Sequence, residues 1–236
     1  MKILVTGGAG YLGAVLVPEL LAWGHRVTVL DDFKHGVLSL AACCAEPRFE
    51  LVRGDARRLS ALAPLLRRAD AVIPLAALVG AAACDRDQTA AVTTNVQAIE
   101  QLCFEASRDQ RILFPNTNSS YGVGGAAECA EDAPLNPLSL YARTKAQAEE
   151  AVLRCHGGIS FRFATLFGAS PRMRLDLLVN DFVYRARRDR ALTLFEGGFR
   201  RNYLHVRDAA DVFLFALEQP EKLIGQRVFN VGDSRA

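Results

Sequence analysis

Tyr141 and Lys145 lie four residues apart in a stretch that reads as helix, so their side chains share one face. A phenol with a pKa of about 10 is a poor base at neutral pH, but an ammonium one turn away favours the phenolate. The tyrosine then becomes a usable general base and acid. Upstream, the strand-like run Ile112-Leu-Phe114 opens into Pro115-Asn-Thr-Asn-Ser-Ser-Tyr-Gly122, small and polar where a catalytic loop would lie, with Thr117 and Ser119 inside it. Ser119 either bonds a substrate or caps the loop.

A second set of residues suits a phosphate. Lys2-Ile-Leu-Val-Thr-Gly-Gly-Ala-Gly-Tyr-Leu-Gly13 reads as a short buried strand, a glycine turn and the start of a helix carrying Leu16, Leu20 and Leu21. Gly7 and Gly10 admit a diphosphate close to the backbone, Gly13 lets helix and strand pack tightly, and the first helical N–H groups face the anion. The spacing Gly-x-x-Gly-x-x-Gly is one residue longer in its first interval than the common dinucleotide fingerprint. Arg26 to Leu30 repeats the strand signal and ends in Asp31-Asp32. A carboxylate there accepts hydrogen bonds from the adenosine ribose and repels a 2′-phosphate, which favours NAD over NADP; alternatively the two aspartates cap a loop. Asp55, at the end of the strand Phe49–Arg53, either meets the adenine amine or caps the next helix. Ala76 and Ala77, after the strand Ala71–Leu75, leave room for the cofactor's backbone. Asn95 either bonds buried backbone or holds a loop beside the cofactor.

The elements that must position these residues alternate about six times between strand and helix, with Ile159–Ala164 as the sixth strand and a long helix from about Asp87 to Arg108. The expected fold class is α/β, a doubly wound parallel sheet of Rossmann type with right-handed crossovers. From Leu166 the character changes, so residues 1–165 are expected to form the NAD-binding domain and 166–236 a partial substrate lobe with segments returning to the main domain. The apolar helix Ala209–Leu217 belongs to this second part.

Composition narrows the classes. The 236 residues carry 28 basic and 26 acidic side chains, a formal charge of +2, so no global field argues for nucleic acid or a membrane surface. Six cysteines form no Cys-x-x-Cys pair and are read as free thiols in a reducing cytoplasm. The N-terminus begins directly with a core strand, which argues against a leader peptide, and no apolar run approaches membrane-spanning length. The four histidines lack metal-ligand spacing, so no metal site is expected.

Together Thr6-Gly-Gly-Ala-Gly-Tyr-Leu-Gly13, Asp31, Gly54-Asp55, Thr117 with Tyr121-Gly122, and Tyr141-x-x-x-Lys145 resemble the extended short-chain dehydrogenase/reductases, the NAD-dependent epimerase/dehydratase family acting on nucleotide sugars. The resemblance implies NAD held by Gly7, Gly10, Tyr11, Leu12, Gly13, Asp31, Asp32, Asp55, Ala56, Leu75, Ala76, Ala77, Asn95, Tyr141 and Lys145. It implies catalysis by Thr117, Tyr141 and Lys145: Tyr141 takes a sugar hydroxyl's proton while the carbon's hydride passes to NAD, and returning the hydride to the other face inverts the centre. The family's dehydratases carry Thr-Asp-Glu in the loop, because eliminating water needs a further acid and base. Thr117-Asn118-Ser119 here disfavours dehydration, and serine rather than cysteine at 119 disfavours certain family reductases. Arg201 resembles the family's phosphate-meeting arginine, although Asn202 replaces the usual aspartate. Arg172, Arg174 and Asn180 are further substrate candidates, each read alone as a surface group and together as arguing for an anionic substrate. The resemblance also implies a homodimer packed through the helices after Cys84 and around Tyr141. Family members continue for several dozen residues beyond Arg227-Val-Phe-Asn-Val231, so either the sequence is a piece of a longer chain or its sugar lobe is reduced. An NAD-dependent dehydrogenase or ketoreductase of a non-sugar alcohol, and a non-catalytic NAD-binding module, are the rival readings.

Overall fold

The strands read from the sequence are apolar on both faces, and they assemble as such runs must, in the middle of a sheet covered on both sides. The computed structural model describes residues 1–36, 38–122, 129–195, 197–198, 201–219 and 227–232. Seven parallel strands form the main sheet in the order β3-β2-β1-β4-β5-β6-β9. They are β1 (Lys2–Thr6), β2 (Arg26–Asp31), β3 (Phe49–Arg53), β4 (Ala71–Pro74), β5 (Arg111–Thr117), β6 (Gly157–Phe163) and β9 (Val228–Val231). The short strands β7 (Thr165–Phe167) and β8 (Tyr203–His205) pair with each other in a separate ribbon. The order reverses between β1 and β4, the switch point where open α/β sheets leave a crevice at their carboxyl ends.

Successive side chains alternate between two cores. Ile3, Val5, Val27, Val29, Ile73 and Leu113 pack with α1 (Gly13–Ala22) and α8 (Val206–Glu218). Leu4, Leu30, Val72, Ile112 and Phe114 pack with α2 (Leu59–Leu66), α5 (Ala98–Glu105) and α6 (Leu140–Arg154). Phe213 of α8 meets Phe161 and Phe163 of β6 edge-on at ring-centroid distances of 5.5 and 5.6 Å, which joins the later part of the chain to the main core. The amphipathic α7 (Leu178–Asp189) follows the β7 loop. Among the described residues no helix is long and apolar enough to cross a membrane.

The long helix expected from about Asp87 to Arg108 runs without a break from Gln88 to Glu105 as α4 (Gln88–Val92), a π-helical turn (Thr93–Gln97) and α5, with the separate α3 (Ala81–Arg86) before it. Asp87 caps α4 by accepting from the Ala90 amide at 2.9 Å. Downstream, the buried Gln110 ends α5 early, accepting from the Ser107 amide at 2.8 Å while donating to Leu66 O and Ala69 O. The fifth strand runs to Thr117 rather than stopping at Phe114, because β6 pairs with it as far as Phe163 opposite Thr117. Pro115 is tolerated because the β4 ladder covers only Arg111 and Ile112.

Candidate active site

The glycine turn closes β1 with almost no spare volume. Gly7 has φ +72°, and a Cβ there would sit 2.5 Å from the Ala76 amide nitrogen; at Gly13 it would sit 2.4 Å from Gly8 O. Gly8, which the sequence reading passed over, is equally constrained, since its Cβ would come within 2.8 Å of the Val29 side chain. Gly7 thus owes its identity to the loop after β4, and Gly13 to close helix–turn packing. The first turn of α1 has Leu12 at its N-cap with no side-chain cap and no acidic residue, so its amides form an end suited to a diphosphate. That cradle fits a dinucleotide.

Around this turn the polar groups are largely committed to holding it. Asp31 ends β2 and accepts from the Ala9 amide at 2.9 Å and the Phe33 amide at 2.8 Å. Asp32 is exposed and accepts from the Lys34 amide. Asp55 accepts the Arg57 guanidinium at 2.7 Å and the Arg57 amide at 2.9 Å; these bonds hold its carboxyl below the usual range, outweighing partial burial. A cavity of about 360 Å³ opens here between Asp55, Arg57, Thr93, Gln97 and Gln101, with Ala56 packed on the core nearby. Asn95 is buried and bonded to backbone, accepting from the Leu78 amide at 2.8 Å and donating to Leu78 O at 2.9 Å, which ties it to the loop that follows Leu75, Ala76 and Ala77. It also donates to Thr144 Oγ1 of α6 at 3.2 Å. The π turn presents it there, as such local widenings often do.

Tyr141 and Lys145 stand on the first half of α6, whose N-cap Ser139 accepts from the Ala142 amide. The helix packs across β5, and the Lys145 ammonium lies 3.9 Å from the Phe114 ring centroid, three residues before Thr117 on that strand. Thr117 Oγ1 accepts from the Ser119 amide at 3.1 Å, which folds the following turn back; Ser119 itself is exposed. Burial pushes Tyr141 up to about 12, reinforced by Cys84 and opposed by Arg174. Burial also pulls Lys145 down to about 7, partly offset by Glu149. Without a bound partner, burial therefore favours the protonated phenol at Tyr141.

Behind this pair lies a network absent from the sequence-based site. Glu149, four residues beyond Lys145, forms a buried pair with Arg162 at 2.6 Å and accepts from Ser160 at 2.6 Å and Asn116 at 2.7 Å. Burial raises its pKa, but the bonds from Arg162, Ser160 and Asn116 win and hold it below the usual range. Asn116 Oδ1 in turn accepts from the Thr117 amide at 2.8 Å, so the network reaches the strand end. An ionic side chain inside the apolar strand 159–164 was the available signal.

The substrate candidates fall into two groups. Asn180 is buried and its amide is consumed internally, accepting from the Gly168 amide at 2.9 Å and donating to Arg174 O at 3.0 Å and Tyr11 Oη at 3.3 Å. Tyr11 also donates to Gly168 O at 2.7 Å, so this cluster fastens the loop after β7 onto the glycine turn. Arg174 pairs with Asp176 and acts electrostatically on Tyr141; Arg172 donates to Met173 O. Arg201 is exposed, and the neighbouring Asn202 accepts from Asn118 Nδ2 at 2.6 Å, tying the segment before β8 to the turn after β5.

A doubly wound sheet with a glycine cradle at its switch point and a Tyr–Lys pair beside β5 defines a dinucleotide-binding α/β enzyme. The family model described as "NAD dependent epimerase/dehydratase family" matches residues 3–232. The chain belongs to that family, and NAD is the family's cofactor. It is 32% identical over 253 residues to an uncharacterized UDP-glucose epimerase, YtcB, of Bacillus subtilis, covering 100% of this chain and 78% of that one. It is 29% identical to UDP-glucuronic acid decarboxylase 1 of Arabidopsis thaliana, covering 99% of this chain and 54% of the relative. In structure it resembles a UDP-glucuronic acid 4-epimerase from Bacillus cereus, solved with UDP-glucuronic acid and NAD, at a TM-score of 0.86 and 28% identity, over 99% of this chain and 78% of that one.

Proposed function

We propose that this chain is an NAD-dependent epimerase of a nucleotide-diphosphate sugar. The observation that carries this reading is the proton-handling inventory around β5. Tyr141, Lys145 and Thr117 serve a single hydroxyl, while the turn Asn118-Ser119-Ser120 offers no carboxylate for elimination of water. Relatives of the chain include epimerases, dehydratases and decarboxylases, and this loop chemistry favours the first.

In this reading the turn of Gly7, Gly10, Tyr11, Leu12 and Gly13 holds the cofactor's diphosphate, Asp31 and Asp32 face its adenosine ribose, and Asp55 with Ala56 face the adenine. Leu75, Ala76 and Ala77 line the passage, and Asn95 keeps that loop in place. Bound NAD supplies a reversible hydride acceptor and a positive ring that favours the phenolate. Tyr141 Oη accepts and later returns the proton of the sugar hydroxyl, Thr117 Oγ1 shares that proton, and Lys145 orients the ribose. Ser119 bonds the sugar, and Arg172, Arg174 and Arg201 attract the substrate diphosphate; Asn180 serves by fixing Arg174 and Tyr11. A homodimer through the outer faces of α5 and α6, near the exposed Phe104 of α5 and Leu138 just before α6, and residence in a reducing cytoplasm complete the proposal.

The purified protein is incubated with UDP-glucose or UDP-glucuronic acid without added cofactor and followed by NMR. The expected product is the C4 epimer with no accumulation of NADH. Stoichiometric NADH release marks a net dehydrogenase, and carbon dioxide release from UDP-glucuronic acid marks a decarboxylase; either rejects the proposal. Tyr141→Phe lowers the rate by about 10²–10⁴-fold.

A further inference from the structure

Away from the proposed active site, the last turn of α5 packs against the C-terminal end of α6, and there Cys103 and Cys155 meet. The Cys155 thiol donates to Cys103 O at 3.8 Å, across 52 residues of sequence, and to Ala151 O at 3.6 Å, and the two thiols lie near enough to act on each other's proton affinity. Both are half-buried at the edge of the core formed with Leu102 and Val152. Cations surround the second sulfur. Arg154 is its chain neighbour, and the Arg227 guanidinium donates to Cys155 O at 3.1 Å, to His156 O at 3.3 Å and to Leu153 O. Of the other cysteines, Cys43 and Cys84 are buried, and Cys44 and Cys129 are exposed.

We propose that Cys103 and Cys155 are a redox modification site, closing to a reversible intramolecular disulfide when the protein meets hydrogen peroxide. Cys155 is the attacking sulfur. The neighbouring Cys103 thiol brings its pKa down to about 7, against burial and with help from Arg227 and Arg154, whereas Cys155 and burial push the Cys103 thiol up. The Cys155 thiolate attacks one peroxide oxygen; an S–O bond forms, the O–O bond breaks, and the leaving hydroxide takes a proton to become water. Cys103 then attacks the Cys155 sulfur; the S–S bond forms, the S–O bond breaks, and the hydroxyl leaves as water with the Cys103 proton. Two thiols lose two electrons and one peroxide becomes two waters. The bond ties α5 to α6, the helix that carries Tyr141 and Lys145, and it does not depend on the substrate assigned above.

The test treats the whole chain with a peroxide series, blocks free thiols with N-ethylmaleimide and digests with trypsin under non-reducing conditions. The expected result is loss of two of the six thiols and a linked pair of peptides, residues 87–108 with residues 155–162, that dithiothreitol separates. Cys103→Ser is expected to leave Cys155 as a sulfenic acid trapped by dimedone, and Cys155→Ser to slow loss of the Cys103 thiol at least about tenfold. The proposal fails if Cys103 and Cys155 stay alkylatable while the exposed Cys44 and Cys129 are consumed. It fails equally if the linked peptides join another pair, or if Cys155 passes straight to sulfinic acid in the unmutated chain.

Discussion

Lys145, in the candidate site, is buried at a cost in stability. Only 4% of it is exposed, and burial draws its pKa from an ordinary 10.5 to about 7. Between those values the unfolded chain holds the proton and the folded chain does not, so this residue makes stability rise with pH across that window. Lys145→Met is therefore expected to stabilise the protein at about pH 6 by about 2 kcal/mol or more, with the gain shrinking as pH approaches 10.5. Urea titrations at several pH values check this, and a variant equally or less stable at pH 6 rejects the buried-ammonium account. The same variant should lose turnover, the trade of stability for function common at active sites. Gly7 gives a second residue-level prediction. A methyl at this φ of +72° drives into the Ala76 backbone, so Gly7→Ala should weaken NAD binding at least about tenfold, read by fluorescence titration.

Among the elements, α6 is the hub, because it meets β5 on one side and α5 on another while carrying both Tyr141 and Lys145. Its anchor is the Glu149–Arg162 pair, with side chains 3% and 6% exposed. Glu149→Gln leaves Arg162 buried without a counter-charge, at a cost of about 3–5 kcal/mol in urea unfolding. Asn95 plays the smaller anchoring role between the π turn, the β4 loop and α6. Asn95→Ala strands the Leu78 amide, while the Leu78 carbonyl keeps the Cys84 thiol, at a cost of about 1–3 kcal/mol, and hydrogen exchange should quicken first at residue 78.

At the level of the whole molecule, one core spans early and late segments: Ile3, Leu16 and Val29 share it with Phe161, Leu204 and Phe213. A cut at residue 165 would leave α8 without the helix and strand it packs on. Phe213→Ala is accordingly expected to cost about 3–5 kcal/mol and to lower the calorimetric midpoint of one cooperative transition rather than a separate late one. Two transitions, with only one displaced, would mean that the later segment unfolds by itself.

Much of this architecture was written in local pattern. The glycine spacing, the acid ending β2, the Tyr141–Lys145 spacing and the run of buried strands show as local patterns, where backbone sterics and side-chain periodicity act, so they were legible in one dimension. What demands glycine at 7 and 8 was not, because a Cβ there would meet Ala76 and Val29 from distant strands. What packing alone decided lies between distant segments. β6 pairing carried β5 on to Thr117; the apolar faces left Asn95, Asn180 and Arg162 with internal partners; and burial moved the proton affinity of Tyr141 up and that of Lys145 down. Periodicity tells which way a side chain points. Desolvation and the partner it finds there depend on which surface closes over it, and that is set only when the sheet and its helices come together.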